Sequence, residues 1–239
     1  MKRTHLKQQG FTLTELMIVV ALAAIFATLA VPNMGGMIAR QRVQGQANEI
    51  ANAFTFAHNE AVRRGKPVFV VPGSVRTDGK LQGTATDWDK ANALLVFADD
   101  SDSTRNKTPQ GYDAGEDLRV VNLSSQLQLK PVTQESLGVD VSNPKGNHKE
   151  DMAFAYYSNG QMRIGKIDGG DKKVSVTQAP GAIGRIVVQD PKRVTKNQTA
   201  RFCEVIRVDA TGRASVYTGK RSDLKNKETD FFYCESKEV

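Results

Sequence analysis

Histidine, the side chain best suited to proton transfer and metal binding near neutral pH, occurs at three positions in the 239 residues. His5 lies near the amino terminus, His58 in a predicted helix and His148 in a polar loop. A metal centre or a nucleophile with its base needs several such groups at one point. The sequence therefore predicts no catalytic residues, no metal ligands and no cofactor.

Carboxylates are densest at 87–117, where eight acidic residues accompany three basic ones. Asp99, Asp100 and Asp102 could supply oxygen ligands to Ca²⁺. The residue order of an EF-hand loop is missing, and clustered acids in a loop are commonly just solvated. A calcium-binding loop and a solvated loop both stay open, and the solvated loop is favoured.

One further carboxylate lies in an unusual place. Glu15 is the only charged residue in the apolar stretch 11–31, which follows Lys2, Arg3 and Lys7. These 21 residues are about enough to cross a bilayer as a helix, and the basic residues favour a cytoplasmic amino terminus. A carboxylate in such a segment is costly, so we expect Glu15 to have a functional partner. A removed secretory signal or a plain anchor is the alternative, but neither accounts for Glu15.

The sequence Gly10-Phe11-Thr12-Leu13-Thr14-Glu15 after a basic leader resembles the type IV prepilin signature. The resemblance implies that a prepilin peptidase cleaves between Gly10 and Phe11 and that the new amino group of Phe11 is methylated. It also implies that Glu15 pairs with the amino terminus of a neighbouring subunit. A cation on Phe11 and the anion on Glu15 are each costly in lipid, so their pairing favours assembly.

The chain divides into four segments of different character. We expect a leader at 1–10, a transmembrane helix at 11–31, an amphipathic continuation of that helix at 32–65 and a periplasmic β-rich domain at 66–239. Pro32 and Gly35-Gly36 disfavour helix, which predicts a flexible joint. The continuation should end near Arg64, because Gly65 suits the cap and Pro67 blocks further helix. Its sheet-packing face is predicted from three- and four-residue spacing of Ala47, Ile50, Phe54, Ala57 and Ala61.

Short apolar runs separated by polar turns predict strands at 68–71, 93–97, 118–123, 152–157, 161–164, 185–188, 202–208 and 213–217. Asn159-Gly160 and the segment 209–213 are hairpin signals. No helix alternates with these strands, which argues against a doubly wound sheet. We predict an α+β, pilin-like fold in which a long N-terminal α-helix, transmembrane in its first half, packs on an antiparallel β-sheet domain.

Parts of the β domain extend the resemblance. Trp88 to Asp99 and the later Gly115-Glu116-Asp117-Leu118-Arg119 resemble a pattern of GspH-like pseudopilins and FimT/FimU-type minor pilins. The regions 154–160 and 211–213 are similar to that group's paired hairpins. A polar insertion at 133–151 and an extension that includes Cys234 depart from the pattern.

Cys203 and Cys234 are the two cysteines of a domain that is expected to lie outside the cytoplasm. An even pair in an oxidising compartment favours a disulfide. By closing the loop between the two cysteines, the disulfide would stabilise the fold by about 3–4 kcal/mol. It would also tie 231–234 onto the sheet. Two buried thiols are the alternative.

The C-terminal third is basic, with eleven Lys or Arg and four acidic residues at 185–227. The formal charge of the chain is +7, and removal of the three basic leader residues leaves 30 basic and 26 acidic side chains, or +4. Some FimT-like minor pilins are proposed to bind DNA through this part, so the resemblance implies a phosphate-binding patch as one interpretation. Dispersed charges on both strand faces are the favoured alternative. The candidate DNA-binding residues are Lys192, Arg193, Lys196, Arg201, Arg207, Arg213, Lys220 and Arg221.

The resemblance as a whole implies a minor structural subunit of a type IV pilus that helps to initiate or cap filament assembly. The implied partners are prepilin peptidase, other major and minor pilins and the inner-membrane assembly platform. The implied location is the inner membrane, as a single-pass protein with a periplasmic C-terminal domain, and then the pilus at the cell surface. A type II secretion minor pseudopilin and a DNA-binding minor pilin for DNA uptake are the alternatives.

Overall fold

The computed structural model describes residues 11–85, 88, 91–99, 111–113, 115–134, 152–168, 173–176, 183–192 and 202–218. The chain divides into two compact units, Met1–Ala39 and Arg40–Val239. The predicted leader at 1–10 and most of the predicted insertion lie outside the described residues, whereas 133 and 134 of that insertion belong to a strand.

Helix α1 (Leu13–Arg64) contributes residues to both units. Its backbone stays helical through Pro32 and Gly35-Gly36, so the expected joint does not end the helix. In the part of the chain that the structure describes, no helix combines the length and the apolar character of a membrane span. The assignment of 11–31 to a membrane stays a prediction.

The C-terminal end of α1 agrees with its sequence signals. The Gly65 N–H donates to the Ala61 carbonyl at 3.0 Å, and Gly65 has a φ of 68°. Glycine adopts this left-handed conformation at little cost, and Pro67 follows two residues later. The predicted end near Arg64 is confirmed.

Within the described residues, strands follow the helix as β1 (Val68–Val75), β2 (Leu81–Thr84), β3 (Ala93–Ala98), β4 (Asp117–Asn122), β5 (Gln128–Gln134), β6 (Met152–Tyr156), β7 (Met162–Ile167), β8 (Val174–Val176), β9 (Ile183–Gln189), β10 (Cys203–Val208) and β11 (Ala214–Thr218). The first sheet has the order β4-β3-β1-β6-β7-β8, with β2 also paired to β1. The second sheet has the order β11-β10-β9-β5. Every pairing between these strands is antiparallel. The predicted α+β class is confirmed, with two sheets.

The main core lies where α1, one face of the first sheet and one face of the second sheet meet. The five residues predicted to form the buried face of the helix are all fully buried there. Phe54 of α1 meets Phe154 of β6 edge to face, with ring centroids 4.8 Å apart. The opposite face of the first sheet carries a smaller cluster, in which Phe69 and Phe97 stack at 5.2 Å.

Candidate assembly site

The first turn of α1 is held by reciprocal hydrogen bonds between Thr12 and Glu15. The Glu15 N–H donates to Thr12 Oγ1 at 3.3 Å, and the Thr12 N–H donates to Glu15 Oε2 at 2.9 Å. The Thr12 hydroxyl donates to the same Oε2 at 2.8 Å. This arrangement is a capping box, which satisfies two N–H groups at the start of the helix.

Glu15 therefore has a partner within its own chain. Sequence reasoning singled out Glu15 but missed Thr12, although a threonine three residues before a glutamate and ahead of an apolar run is a capping signal. The bonds from Thr12 end on Oε2, and among the described residues no hydrogen bond reaches Oε1. A carboxylate accepts several hydrogen bonds, so Oε1 can receive a cation from outside the chain while the cap stays formed.

Apolar side chains are exposed all around the first turns of α1. Phe11 is 88% exposed, and the consecutive residues 16–20 are each at least 60% exposed. Successive helical residues differ by about 100° in direction, so five in a row cover every side. An apolar surface of this extent marks contact with a membrane or with other protein. Gly10, the other residue of the predicted cleavage site, lies outside the described residues.

Two hairpin turns meet beside α1 at His58. The Met162 N–H after the first turn donates to the Ala210 carbonyl of the second at 3.3 Å. The Tyr156 hydroxyl donates to the Gly212 carbonyl at 3.1 Å, and the His58 ring lies 5.7 Å from the Tyr156 ring. Burial, together with the Asp209 charge, raises the pKa of Tyr156 well above its usual value, so the phenol stays protonated and donating. Both predicted hairpins are confirmed, and His58 packs between their turns.

Two other side chains hold segments of the β domain together. Buried Trp88 donates its Nε1–H to the Met152 carbonyl at 2.7 Å, so the tryptophan of the family-like pattern has a structural role. Gln46 of α1 donates to the Asn122 carbonyl at 3.3 Å and accepts the Ser124 N–H at 3.0 Å. Sequence reasoning missed Gln46, because a glutamine beside an apolar stripe usually faces solvent.

The structure describes three of the eight candidate DNA-binding residues. Lys192 is exposed just beyond the end of β9, and Arg213 is exposed at the second hairpin turn. Arg207 of β10 is half-buried and lies opposite Arg185, near the start of β9. Lys192 and Arg207 are therefore at opposite ends of the second sheet. The other candidates, Arg193, Lys196, Arg201, Lys220 and Arg221, lie outside the described residues.

Arg185 and Arg207 form a pair of like charges on neighbouring strands. Arg185 is only 7% exposed, and the Arg207 Nε is enclosed without a hydrogen-bond partner. Burial and the neighbouring Arg207 charge lower the pKa of Arg185 from its usual value. Sequence reasoning included Arg207 among exposed phosphate contacts, whereas the structure encloses much of its side chain.

The acidic segment is described in part. Asp99 and Glu116 are both 8% exposed, and the Ala98 N–H donates to the Glu116 carbonyl at 3.3 Å. The Tyr112 hydroxyl donates to Asp117 Oδ1 at 3.0 Å, and burial with this bond raises the pKa of Tyr112 to about 12. Asp100, Asp102, His5 and His148 lie outside the described residues. Among those that are described, no three His, Cys, Asp or Glu side chains are placed to hold a metal ion.

Cys203 begins β10 and is 4% exposed. Its predicted partner, Cys234, lies outside the described residues. No cysteine in the described part of the chain is free. The bridge between Cys203 and Cys234 stays a prediction.

Comparison with known proteins gives several similarities. Residues 5–31 match the model of the prokaryotic N-terminal methylation motif. Two curated fimbrial proteins of Pseudomonas aeruginosa are each 34% identical over 100 residues, which are 41% of this chain and 64% of theirs. The chain thus spans less than two thirds of the length of these relatives.

Solved structures of two proteins are also similar. The type IV minor pilin FimU of Pseudomonas aeruginosa is 14% identical, covers 73% of this chain and 91% of its own, and has a TM-score of 0.39. The minor pseudopilin EpsH of the Vibrio cholerae type 2 secretion system is 12% identical, covers 74% and 97%, and has a TM-score of 0.37.

A long N-terminal helix that starts with an exposed apolar segment, and whose later turns pack on antiparallel sheets, defines a pilin-like subunit. The family model for type II transport protein GspH matches residues 46–217, well over half of the chain. The chain belongs to this GspH family.

Proposed function

We propose that the chain is a minor structural subunit of a type IV pilus that helps to initiate or cap filament assembly. The observation that carries the proposal is the capped Glu15 at the start of a helix whose apolar side chains are exposed on all sides. Such a surface needs lipid or other subunits around it. A structural role follows from this need, and no catalytic step is required.

The amino terminus is the product of processing in this proposal. Prepilin peptidase cleaves between Gly10 and Phe11, and the new amino group of Phe11 is methylated. The match of residues 5–31 to the N-terminal methylation motif supports both steps. Before assembly, the apolar stretch 11–31 anchors the subunit in the inner membrane, with the domain after it in the periplasm.

Docking uses the free oxygen of Glu15. Oε2 keeps the two bonds from Thr12, and Oε1 accepts the amino-terminal cation of a neighbouring Phe11. This ion pair lowers the free-energy cost of placing each charge in an apolar environment. The capping box fixes the carboxylate at the helix start, so the contact does not need a new side-chain conformation.

A type II secretion pseudopilin is the second candidate. It is favoured by the description of the matching family model, type II transport protein GspH. The pilus is favoured by the curated relatives, which are called fimbrial proteins. The partners in either machine are other pilin-like subunits and the inner-membrane assembly platform.

Deletion of the gene separates these candidates. Twitching motility, exoprotein release and transformation are scored in parallel, and we expect motility to fall while exoprotein release stays normal. Normal piliation with lost secretion would replace the pilus by the secretion system. Normal secretion and motility with lost transformation would instead favour DNA uptake.

Complementation tests the role of Glu15. Glu15→Ala should enter the membrane fraction like the unmodified chain but should be depleted from sheared filaments. Glu49→Ala is the matched control, because Glu49 is an exposed carboxylate of the same helix. Mass spectrometry of the filament-borne chain should find N-methylated Phe11 as its first residue. Equal incorporation of the two alanine variants contradicts the docking role.

A further inference from the structure

The turn between β6 and β7 contains the only asparagine of the sequence that is followed directly by glycine, in the pair Asn159-Gly160. An asparagine amide can be attacked by the backbone nitrogen of the next residue. Glycine leaves that nitrogen unshielded, because it has no Cβ. The attack closes a succinimide ring, and the side-chain nitrogen leaves as ammonia. Among the asparagines of the sequence, Asn159 therefore has the least hindered path to this reaction.

The turn holds the Asn159 side chain against its own backbone. The Gln161 N–H donates to Asn159 Oδ1 at 3.0 Å, which folds the amide back over the turn. Negative charge develops on Oδ1 when a nucleophile adds to the amide carbon, and a backbone N–H at this distance stabilises such charge. Gln161 thus supplies the donor that an oxyanion hole supplies in an enzyme. Asn159 is exposed, so water can reach a ring that forms there.

One hydrogen bond opposes the reaction. The N–H of the attacking nitrogen, that of Gly160, donates to the Tyr157 carbonyl at 2.9 Å. This bond has to open before the nitrogen can lose its proton and attack. Exposed turns open locally at a low free-energy cost, because few buried contacts are lost. The bond should therefore slow the reaction rather than prevent it.

The turn between β1 and β2 shows how an aspartate fits at this place. Asp78 Oδ1 accepts the Lys80 N–H at 3.1 Å, and the Gly79 N–H donates three residues back at 2.9 Å. Asn159 and Gly160 make the same two bonds at 3.0 and 2.9 Å. Gly79 and Gly160 also have similar φ values, of 81° and 78°. An aspartate in the ordinary peptide linkage can therefore replace Asn159 without a change of the turn.

The alternative product, isoaspartate, does not fit this turn. In isoaspartate the chain continues through the side-chain carbon, so an extra methylene enters the backbone directly before Gly160. Gly160 has little room beside the helix, since a Cβ on it would lie 3.1 Å from His58 Nε2. Met162, two residues further on, donates its N–H to the Ala210 carbonyl of the second hairpin turn. A lengthened turn therefore disturbs the contact between the two hairpins.

We propose that Asn159 is a site of spontaneous deamidation, at which the Gly160 nitrogen bonds to Asn159 Cγ, ammonia leaves, and water opens the succinimide. The Gly160 nitrogen gives up one proton and the departing ammonia takes one up. Water that attacks Cγ leaves aspartate in the ordinary linkage, whereas water that attacks the backbone carbonyl leaves isoaspartate. Both products add a negative charge to the turn, and only isoaspartate loosens the hairpin contact. The modification goes beyond the pilus proposal and does not depend on it.

Ageing of the purified full chain in detergent micelles, in a mildly alkaline buffer, tests the site. Mass spectrometry of peptides, with a fragmentation method that distinguishes the two linkages, follows the conversion of each asparagine. We expect conversion at Asn159 to be about tenfold faster or more than at Asn92 or Asn122, which are exposed and followed by larger residues. The rate should rise with pH, since the attacking nitrogen has to lose its proton. Hydroxylamine, which cleaves succinimides, should release a fragment that begins at Gly160.

Two variants separate the reaction from its consequence. Asn159→Gln would have to close a larger ring, so conversion and hydroxylamine cleavage should both be lost. Asn159→Asp carries the ordinary product and should have the urea midpoint of the unmodified chain. The aged chain should show a second transition at a lower midpoint, in proportion to its isoaspartate content. Trp88, the single tryptophan, is buried in the main core, and its emission reports both the unfolding and whether each variant is folded.

Three results would overturn the proposal. The first is an Asn159 that stays intact under conditions in which it converts in the urea-unfolded chain, since the turn would then protect the amide. The second is conversion at Asn159 without hydroxylamine cleavage, since no succinimide would then form. The third is an aged chain that contains isoaspartate but unfolds in one transition, at the midpoint of Asn159→Asp. The hairpin contact would then tolerate the longer turn.

Discussion

Thr12 supplies the side chain that joins the start of α1 to Glu15. Thr12→Ala removes the N-cap, which costs about 0.5–2 kcal/mol of helix stability. We therefore expect the amide hydrogens of Glu15 and Leu16 to exchange with deuterium about 2- to 30-fold faster in the full chain in micelles. Thr12→Ser keeps a hydroxyl at this position and should exchange like the unmodified chain. Equal exchange in the Ala and Ser variants would mean that the cap does not hold the first turn.

Glu60 accepts hydrogen bonds from two arginines at the other end of α1. Arg63 Nη2 and Arg64 Nε each lie 2.5 Å from Glu60 Oε1. The bonds from Arg63 and then Arg64 lower the pKa of Glu60 from 4.5 to about 2. A group whose pKa is lowered by folding stabilises the fold above its unfolded pKa. This stabilisation is lost as the pH falls from about 4.5 towards 2.

The pH dependence of Glu60 is measurable by urea unfolding followed through Trp88 emission. Between pH 7 and pH 3, the free energy of unfolding should fall more for the unmodified chain than for Glu60→Gln. The difference should be modest, because both arginines are at least 40% exposed and exposed pairs are screened by solvent. Glu49→Gln, at an exposed position of the same helix, should behave like the unmodified chain. The same pH dependence in Glu60→Gln as in the unmodified chain would remove any role of the ion pairs.

At the scale of elements, the sequence predicted the strands whose positions are defined by their own residues and by the turns beside them. The eight predicted strands are confirmed to within a few residues at their ends, because apolar runs between turn residues define them. β2 and β8 were missed, since a four-residue strand that contains Gly83 and a three-residue strand have little pattern of their own. β5 was missed because it contains Pro131, which is tolerated here at the edge of the second sheet.

The division of the strands into two sheets could not be predicted from the sequence either. Gly184 of β9 packs so closely on β6 that an added Cβ would lie 2.3 Å from Phe154 Cε1. Such a contact joins residues that are distant in the sequence, so no local sequence pattern predicts it. The same reason explains why the burial of Arg185 beside Arg207 was not predicted from the sequence.

The turns before β2 and before β11 form a matched pair for testing the hairpin contact. Gly79 and Gly212 have φ values of 81° and 80°, and each donates its N–H three residues back at 2.9 Å. A Cβ on Gly79 would meet nothing within 4 Å, whereas one on Gly212 would lie 2.7 Å from Tyr156 Cε1 and 3.1 Å from His58 Cδ2. Gly79→Ala should cost about 1–2 kcal/mol from its backbone conformation alone.

Gly212→Ala should cost a further 1–3 kcal/mol or so, because the new methyl group overpacks the Tyr156 and His58 contact. Urea midpoints of the two variants give this difference directly, since the backbone contribution is shared. If the clash is its cause, the extra loss from Gly212→Ala should be smaller when it is measured in a Tyr156→Ala background. Equal midpoints for Gly79→Ala and Gly212→Ala would show that the two hairpins separate freely.

For the whole molecule, the distribution of charge bears on the choice between a structural subunit and a DNA receptor. Without residues 1–10 the chain has 30 basic and 26 acidic side chains, a surplus of only four. Lys192 and Arg207 are at opposite ends of the second sheet, and Arg207 is half-buried. Among the described candidates, these two side chains therefore do not form one cluster of positive charge. Affinity for DNA grows with the number of phosphate contacts, and it falls with salt.

We therefore expect the full chain to shift duplex DNA in a gel only at low salt, with the complex lost by about 150 mM. Arg213→Gln should weaken that complex no more than Arg76→Gln, because both arginines are exposed at hairpin turns and Arg76 lies outside the basic third. The two variants separate nonspecific electrostatic attraction from binding at a dedicated DNA-binding surface. Only for a dedicated surface does the loss of affinity depend on where the removed arginine lies. A complex that persists at about 150 mM salt and is weakened by Arg213→Gln alone would assign the C-terminal third to DNA binding.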